Sequence, residues 1–265
     1  MMRRFLLCLG IFLACVGSAT PSLAQQRTLT IATPGFMYNG GLDIIAEGFE
    51  AETGIRTVVR YGGMRQVTDD AANGAADAIF LPADLMDEVM AKGWIKPGSR
   101  MRIGRSYQGL AVRKGSKVPD ISTKAKFIAA LESANLVLHS RCDEAVVAGR
   151  EGCTRTARMI TDMLKRPEFA KVKASPSVYG EGGAALARNE GDMAIQNISQ
   201  IVMWDNLQVV GPVPEEYGMY MDGVAAVSGK AKNSAAAERF IRYATQPGTF
   251  PIWWSRGVDA RKGQR

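Results

Sequence analysis

The chain has 265 residues, 46% hydrophobic and 22% charged, with a formal net charge of +7. That length supplies a large core for one or two domains. Both signs of charge are spread along it, with no arginine-rich block and no alternation of basic and aromatic residues, which excludes nucleic acid as the expected partner and suits either small anions or a mildly basic solvated surface.

Residues 1–24 read as a secretory signal peptide: Arg3-Arg4, an apolar run from Phe5 to Val16, then Ser22-Leu23-Ala24 before Gln25. The run is too short for a stable membrane anchor, and no later segment is apolar for long enough to span a bilayer. Phe12-Leu13-Ala14-Cys15 loosely resembles a lipoprotein cleavage site, but its aromatic residue makes cleavage near Ala24 and release into the periplasm the expectation.

Thr28 to Ala32 is the first expected strand, ended by Pro34-Gly35. A loop over Phe36 to Gly40 leads into a helix with Leu42, Ile45, Ala46 and Phe49 on one face, closing near Thr53-Gly54. Asn39 serves either as the N-cap of that helix or as part of the cleft lining. Ile55 to Tyr61 is the next strand. Gly62-Gly63 breaks it, and Met64, Val67 and Ala71 follow at the spacing of an amphipathic helix that closes at Asn73-Gly74. Ala78 to Leu81 is a third strand, and Pro82-Ala83-Asp84 opens a helix running to Lys92-Gly93. The order βαβαβα is that of a parallel sheet, with ligands expected beyond the carboxyl ends of the strands. Glycines feeding a helix N-terminus offer unpaired N–H groups to an anion, although the same pattern serves an ordinary βαβ connection.

The pattern changes from Tyr107. Leu110 to Arg113 reads as a strand, a helix runs through Leu131, and Asn135 to His139 is a strand. Thr154 caps a helix reaching about Lys165, stopped before Pro167. A small-residue helix begins at Gly182. Strands follow at Asp192 to Gln196, Leu207 to Val210 and Gly223 to Val227, with a helix from Ala235 to Ala244. Trp253 and Trp254 are expected in the packing, and the basic tail is expected to fray. Cys8 and Cys15 leave with the signal. Cys142 and Cys153 remain and are expected to form a disulfide in the exported protein, since with His139 they make an incomplete metal site.

The segments AEGFEAETGI, YGGMRQV, NGAADAIFLPADLMDEVMAKGWI, LARNEGDMAI and NSAAAERFIRYATQP resemble the molybdate-type family of periplasmic solute-binding proteins over nearly all of the mature chain. The resemblance implies a type II periplasmic binding protein: an α/β fold of two lobes, 25–105 plus 215–265 and 106–214, with a cleft between them. The family holds its oxyanion with two serines and a tyrosine. Those positions fall here at Phe36-Met37-Tyr38, at Gly62-Gly63-Met64 and near Asn197, so both serines and the tyrosine are absent. Tyr179 and Gly180 fall near a position that gives backbone contacts. Arg65, just past the lost serine, and Arg141 supply guanidinium forks suited to planar carboxylates. Arg65 reads equally as a solvated helix residue, and Arg141 as a partner of Asp143 or Glu144. His139 is expected to be a satisfied core residue.

The candidate ligand set, from the family positions and from this chain's own arginines, is thus Tyr38, Asn39, Gly62, Gly63, Met64, Arg65, Arg141, Tyr179, Gly180 and Asn197, with Ser199 a further candidate by position. The expected function is binding of a small organic anion, a tricarboxylate rather than molybdate, for delivery to a membrane transporter by a monomer without metal or cofactor. The alternative is an exported isomerase of the same resemblance that interconverts trans- and cis-aconitate, with Glu181, Tyr179 or Tyr38 as base. No nucleophile–base constellation and no dinucleotide fingerprint is visible.

Overall fold

The computed structural model describes residues 28–142, 153–177 and 181–263. The expected signal peptide, together with Asp143, Glu144, Tyr179 and Gly180, lies outside the described residues.

Strand β1 (Thr28–Pro34) does not lead into a loop. A turn of helix, α1 (Gly35–Met37), continues through a wide π turn (Tyr38–Leu42) into α2 (Asp43–Thr53). Burial of Phe36 and Met37 draws the turn inward, and Gly41 at φ 117° makes the kink, a conformation that costs glycine little. Asn39 therefore lies inside the turn and caps no helix, contrary to that expectation. Leu42, Ile45, Ala46 and Phe49 are buried as their spacing requires, and Gly54 ends α2 in the left-handed conformation.

The next units follow the sequence closely: β2 (Arg56–Gly62), α3 (Met64–Asn73), β3 (Ala78–Pro82) and α4 (Ala83–Ala91). β1 runs parallel to both β2 and β3. The following strand, β4 (Met101–Arg113), is far longer than Leu110 to Arg113, because arginines, glycines and Gln108 interrupt its apolar pattern. Then come α5 (Lys124–Ser133), β5 (Val137–His139), α6 (Arg155–Leu164), β6 (Ala174–Pro176), α7 (Gly182–Ala187), β7 (Met193–Asn197), α8 (Ile198–Ile201) and β8 (Leu207–Pro212). The chain ends with β9 (Tyr220–Val227), α9 (Ser234–Ala244), α10 (Phe250–Ser255), the short β10 (Val258–Asp259) and a 3-10 turn over Ala260–Gly263, so the tail is structured as far as Gly263.

The strands are ordered β2-β1-β3-β9-β4-β7-β5-β6, with β8 and β10 also pairing with β4. β4 is the bridge. Its first half, Met101 to Tyr107, pairs with β9 and β10, and its second half, Gln108 to Arg113, pairs with β7 and β8. The chain returns through Val213 to Met219, where Val213 N–H donates to the Gln108 carbonyl and Gln108 N–H donates to the Met219 carbonyl. Two crossings thus join two lobes.

Each lobe packs helices on both faces of its sheet. In the first, Leu29, Ile31, Phe49, Phe80, Phe240 and Trp253 form one core against α2 and α9, while Val67, Ile79, Leu81 and Met86 form another against α3 and α4. In the second, Phe127, Leu131, Ile160 and Ile195 pack on one face, and Leu138, Leu186, Ala194 and Ile201 on the other. Each large aliphatic or phenylalanine side chain among them contributes about 1.5–3 kcal/mol when fully buried, and each lobe has a core of its own. Among the described residues no helix is long and apolar enough to cross a membrane.

Candidate functional site

The carboxyl ends of β1, β2 and β3 adjoin those of β5 and β7 where the lobes meet, and polar contacts join the lobes there. Ser199 Oγ lies 3.1 Å from the Phe36 carbonyl. Arg155 Nη2, at the first position of α6, lies 2.6 Å from Asp84 Oδ2 in the first turn of α4.

On the first lobe, Tyr38 stacks on Tyr61 with ring centroids 4.5 Å apart and planes 18° from parallel. Tyr61 is exposed and directly precedes Gly62, so the pair forms an aromatic wall beside the glycine turn. Gly63 is the N-cap of α3 with no side-chain cap, leaving the first-turn N–H groups uncapped by a side chain. A Cβ at Gly62 would collide with the Gln66 amide. Met64 is half-buried. Arg65 is 83% exposed and stands 4.0 Å from Asp69 one turn on, in the solvated-helix arrangement rather than turned to another segment.

On the second lobe, β5 ends in His139, which is buried and pairs its Nδ1 with the Ser140 carbonyl at 3.0 Å. A carbonyl only accepts, so Nδ1 carries the proton in that contact. Burial pushes the imidazole below its ordinary range, and the bond to Ser140 opposes this only in part. His139 is therefore the satisfied core residue its strand implied. Arg141 is exposed, one residue before the bridge between Cys142 and Cys153, which is formed. Thr154 caps α6 as expected, its Oγ1 accepting the Ala157 N–H at 3.2 Å.

Asn197 is wholly buried and its side chain is engaged within the protein. Oδ1 accepts the Ser199 N–H at 3.1 Å and lies 2.6 Å from Ser199 Oγ, and Nδ2 donates to Ser106 Oγ at 3.0 Å. Ser106 belongs to β4, so this polar knot ties the crossing strand to α8 and, through Ser199, to the start of α1. Beside it Gln108, the register partner of Asn197, is buried with neither head atom hydrogen-bonded.

A second network lies on the opposite face of β7. Gln196 Oε1 accepts from Ser140 Oγ at 2.8 Å and from the Gly182 N–H at 3.2 Å. Gln196 Nε2 donates to Gln200 Oε1 at 2.6 Å, and Gln200 Nε2 donates to Glu181 Oε1 at 3.1 Å. Burial pushes the Glu181 carboxyl above the ordinary carboxylate range. Gly182 allows the approach, since a Cβ there would press on the backbone of His139 and Leu138.

The structure therefore gathers Tyr38, Asn39, Gly62, Gly63 and Met64 at the strand ends of one lobe and Arg141 and Asn197 at those of the other, while Arg65 points to solvent. Sequence reasoning missed Asp84, Ser106, Ser140, Arg155 and Gln196. Ser140 follows a strand that ends at the cleft, a signal of position. Nothing in the sequence links Asp84 to Arg155. No group of three or more His, Cys, Asp or Glu side chains that could hold a metal occurs among the described residues.

Trp253 is fully buried, with Nε1 donating to the Ala244 carbonyl at 2.9 Å. Trp254 is not in the packing as expected: it is 61% exposed, with the Arg261 guanidinium 4.5 Å from its ring centre, because its neighbour takes the inward face of α10.

The fold and chain are similar to known proteins. A periplasmic molybdate-binding protein from Azotobacter vinelandii superposes with a TM-score of 0.64 at 17% identity, covering 87% of this chain and 98% of that one. A tungstate-binding protein from Desulfovibrio alaskensis G20 gives 0.59 at 17% identity, covering 85% and 92%. These likenesses establish the type II periplasmic binding protein fold. An aconitate isomerase from a Pseudomonas species is 27% identical over 234 residues, 85% of this chain and 86% of its own. Residues 29–258 match the family described as bacterial extracellular solute-binding protein. With the match running from β1 to β10 and the two-lobed fold beneath it, this chain belongs to that family of bacterial extracellular solute-binding proteins.

Proposed function

We propose that the protein, exported to the periplasm, binds a small tricarboxylate of the aconitate type between its lobes, 25–105 plus 215–265 and 106–214, and presents it to a membrane transporter. The observation that carries this reading is the 27% identity to an aconitate isomerase over most of both chains. The site is consistent with it. Where molybdate binders resembling this chain place serines, Phe36 and Met37 are buried and Gly62 and Gly63 have no side chain to donate. Arg141 and the uncapped start of α3 stand at the strand ends of opposite lobes, suited to a ligand with separated carboxylates. Tyr38 and Tyr61 add a flat wall for a planar unsaturated acid; Tyr179 and Gly180 join the proposed lining by sequence position alone, while Asn197 stands behind it with its side chain engaged inside the protein. Closing the lobes over the ligand would give a transporter its shape to recognise.

A thermal-shift series with molybdate, tungstate, sulfate, citrate, cis-aconitate and trans-aconitate tests this. A ligand at 100 times its dissociation constant adds about 2.7 kcal/mol of stability. The largest shift is expected from a tricarboxylate; a larger shift with molybdate than with any carboxylate would overturn the reading.

A second reading, an aconitate isomerase, is favoured by the same relative and by Glu181, whose carboxyl is held above the ordinary range where it can serve as a stronger base. It would take a proton from the methylene carbon of trans-aconitate, the electron pair would shift through the double bond, and the proton would return at the far carbon to give cis-aconitate. No oxidant or cofactor enters that balance. Chromatography of trans-aconitate incubated with the protein decides: product proportional to protein, lost in Glu181→Gln, establishes the isomerase, and unchanged substrate at high protein concentration leaves binding alone.

A further inference from the structure

We propose that Arg155 is a ligand-binding residue of the cleft, the guanidinium that takes a carboxylate of the bound anion, and that Asp84 occupies it as an internal carboxylate until the ligand arrives. The inference rests on the reading of the cleft as a polycarboxylate site. Arg155 Nη2 and Asp84 Oδ2 are 2.6 Å apart, with 37% and 55% of the two side chains exposed. Asp84 follows β3 within the first turn of α4, and Arg155 opens α6 beyond β5. Each residue stands where strands of its own lobe end, so the pair closes across the gap in which ligands of such sheets sit.

Two features set it apart from a casual surface pair. The first turn of a helix disfavours a cation, since its exposed N–H groups already carry partial positive charge, so α6 itself does not hold the guanidinium there. The disulfide, in turn, pins the segment: Arg141 precedes Cys142 by one residue and Arg155 follows Cys153 by two, so one covalent bridge keeps both arginine-bearing stretches at the same end of the lobe. A ligand carrying two or more carboxylates can engage both, each through a planar fork. Asp84 already shows that a carboxylate can reach Arg155 from the opposite lobe. Pairs this exposed are weakly held, so an incoming carboxylate can displace Asp84. Arg65, by contrast, stands 4.0 Å from Asp69 on its own helix, with 83% of its side chain exposed.

The test is calorimetric titration of wild type, Arg155→Gln and Asp84→Asn with trans-aconitate, citrate and molybdate. Arg155→Gln should weaken binding of the carboxylates about ten- to a hundredfold. Asp84→Asn removes the competing carboxylate and should leave affinity equal or higher. The two halves of one ion pair are thus expected to differ in direction. If the pair is only a strut between lobes, both variants lose affinity, and that result overturns the proposal. Unchanged affinity in Arg155→Gln also overturns it while leaving the tricarboxylate reading intact. A wild type that binds molybdate alone, or none of the three, overturns both. Should Arg155→Gln fail to fold, Arg155→Lys keeps the charge without the fork; weakened carboxylate binding supports the role and wild-type affinity ends it.

Discussion

His139 carries the clearest consequence of a single residue's surroundings. It is the chain's one histidine, buried at the end of β5, and burial holds its imidazole below the ordinary value of 6.5. Below that ordinary value the unfolded chain takes up a proton that the folded chain resists, so the unfolded state binds more protons and stability falls on acidification. The contribution is present above the unfolded value and is lost as pH falls toward the depressed folded one. Urea unfolding from about pH 7 to about pH 5 should show this slope, and His139→Asn should flatten it. An undiminished slope in the variant would place the proton uptake elsewhere. Glu181 works with opposite sign: its raised carboxyl favours the protonated fold, so its contribution is lost as pH rises from the ordinary carboxylate range through the raised value. Residue types at strand ends were legible in the sequence, His139 as core and Asn197 as a polar residue at the end of β7. That Asn197 would be consumed by Ser106 and Ser199 was not, because its partner Ser106 lies 91 residues away.

Among the elements, α6 shows local chemistry and covalent constraint acting together. Thr154 caps it, Ala157, Ile160 and Met163 are buried along one face, and the bridge to Cys142 anchors its start. The bridged cysteines are 11 residues apart, and closing a loop of that size stabilises by roughly 2–3 kcal/mol in the chain-entropy picture. Reduction should lower the unfolding free energy by about that amount, and thiol labelling of the unreduced, denatured exported protein should find none free. Two labelled cysteines would refute the bridge. The helices whose apolar residues recur at three and four, α2, α3 and α9, were readable because periodicity and glycine caps are local. β4 was half hidden. It pairs with four strands, so its hydrogen bonds, rather than an apolar run, hold residues such as Arg105, Ser106 and Gln108 extended.

In the whole molecule, the lobes are joined by more than their crossing strands. Gly257, after α10, adopts φ 80° and lies so close to α8 that a Cβ would collide with the Ile198 side chain. Left-handed backbone and close approach both require glycine there. Gly257→Ala should cost about 1–3 kcal/mol of stability, read as a lowered urea midpoint, and should disturb the contact between lobes. A wild-type midpoint would show that α8 has room to retreat. The Arg155–Asp84 pair, on a different element of the second lobe, supplies a further link.

The sequence by itself determined the βα order, the helix faces, the glycine caps, the bridge between Cys142 and Cys153 and, through resemblance, the two-lobed architecture. These depend on periodicity, on φ preferences and on residues near one another in the chain. The tertiary structure alone decided which polar groups meet across the lobes, Arg155 with Asp84 and Ser199 with the Phe36 carbonyl, and which meet within the second lobe, where Ser140, Gln196, Gln200 and Glu181 form one network. It also turned Arg65 to solvent and Trp254 out of the core. The pairings across the lobes arise only when β4 has carried the chain from one sheet into the other, and no local pattern records which distant group a polar side chain will meet.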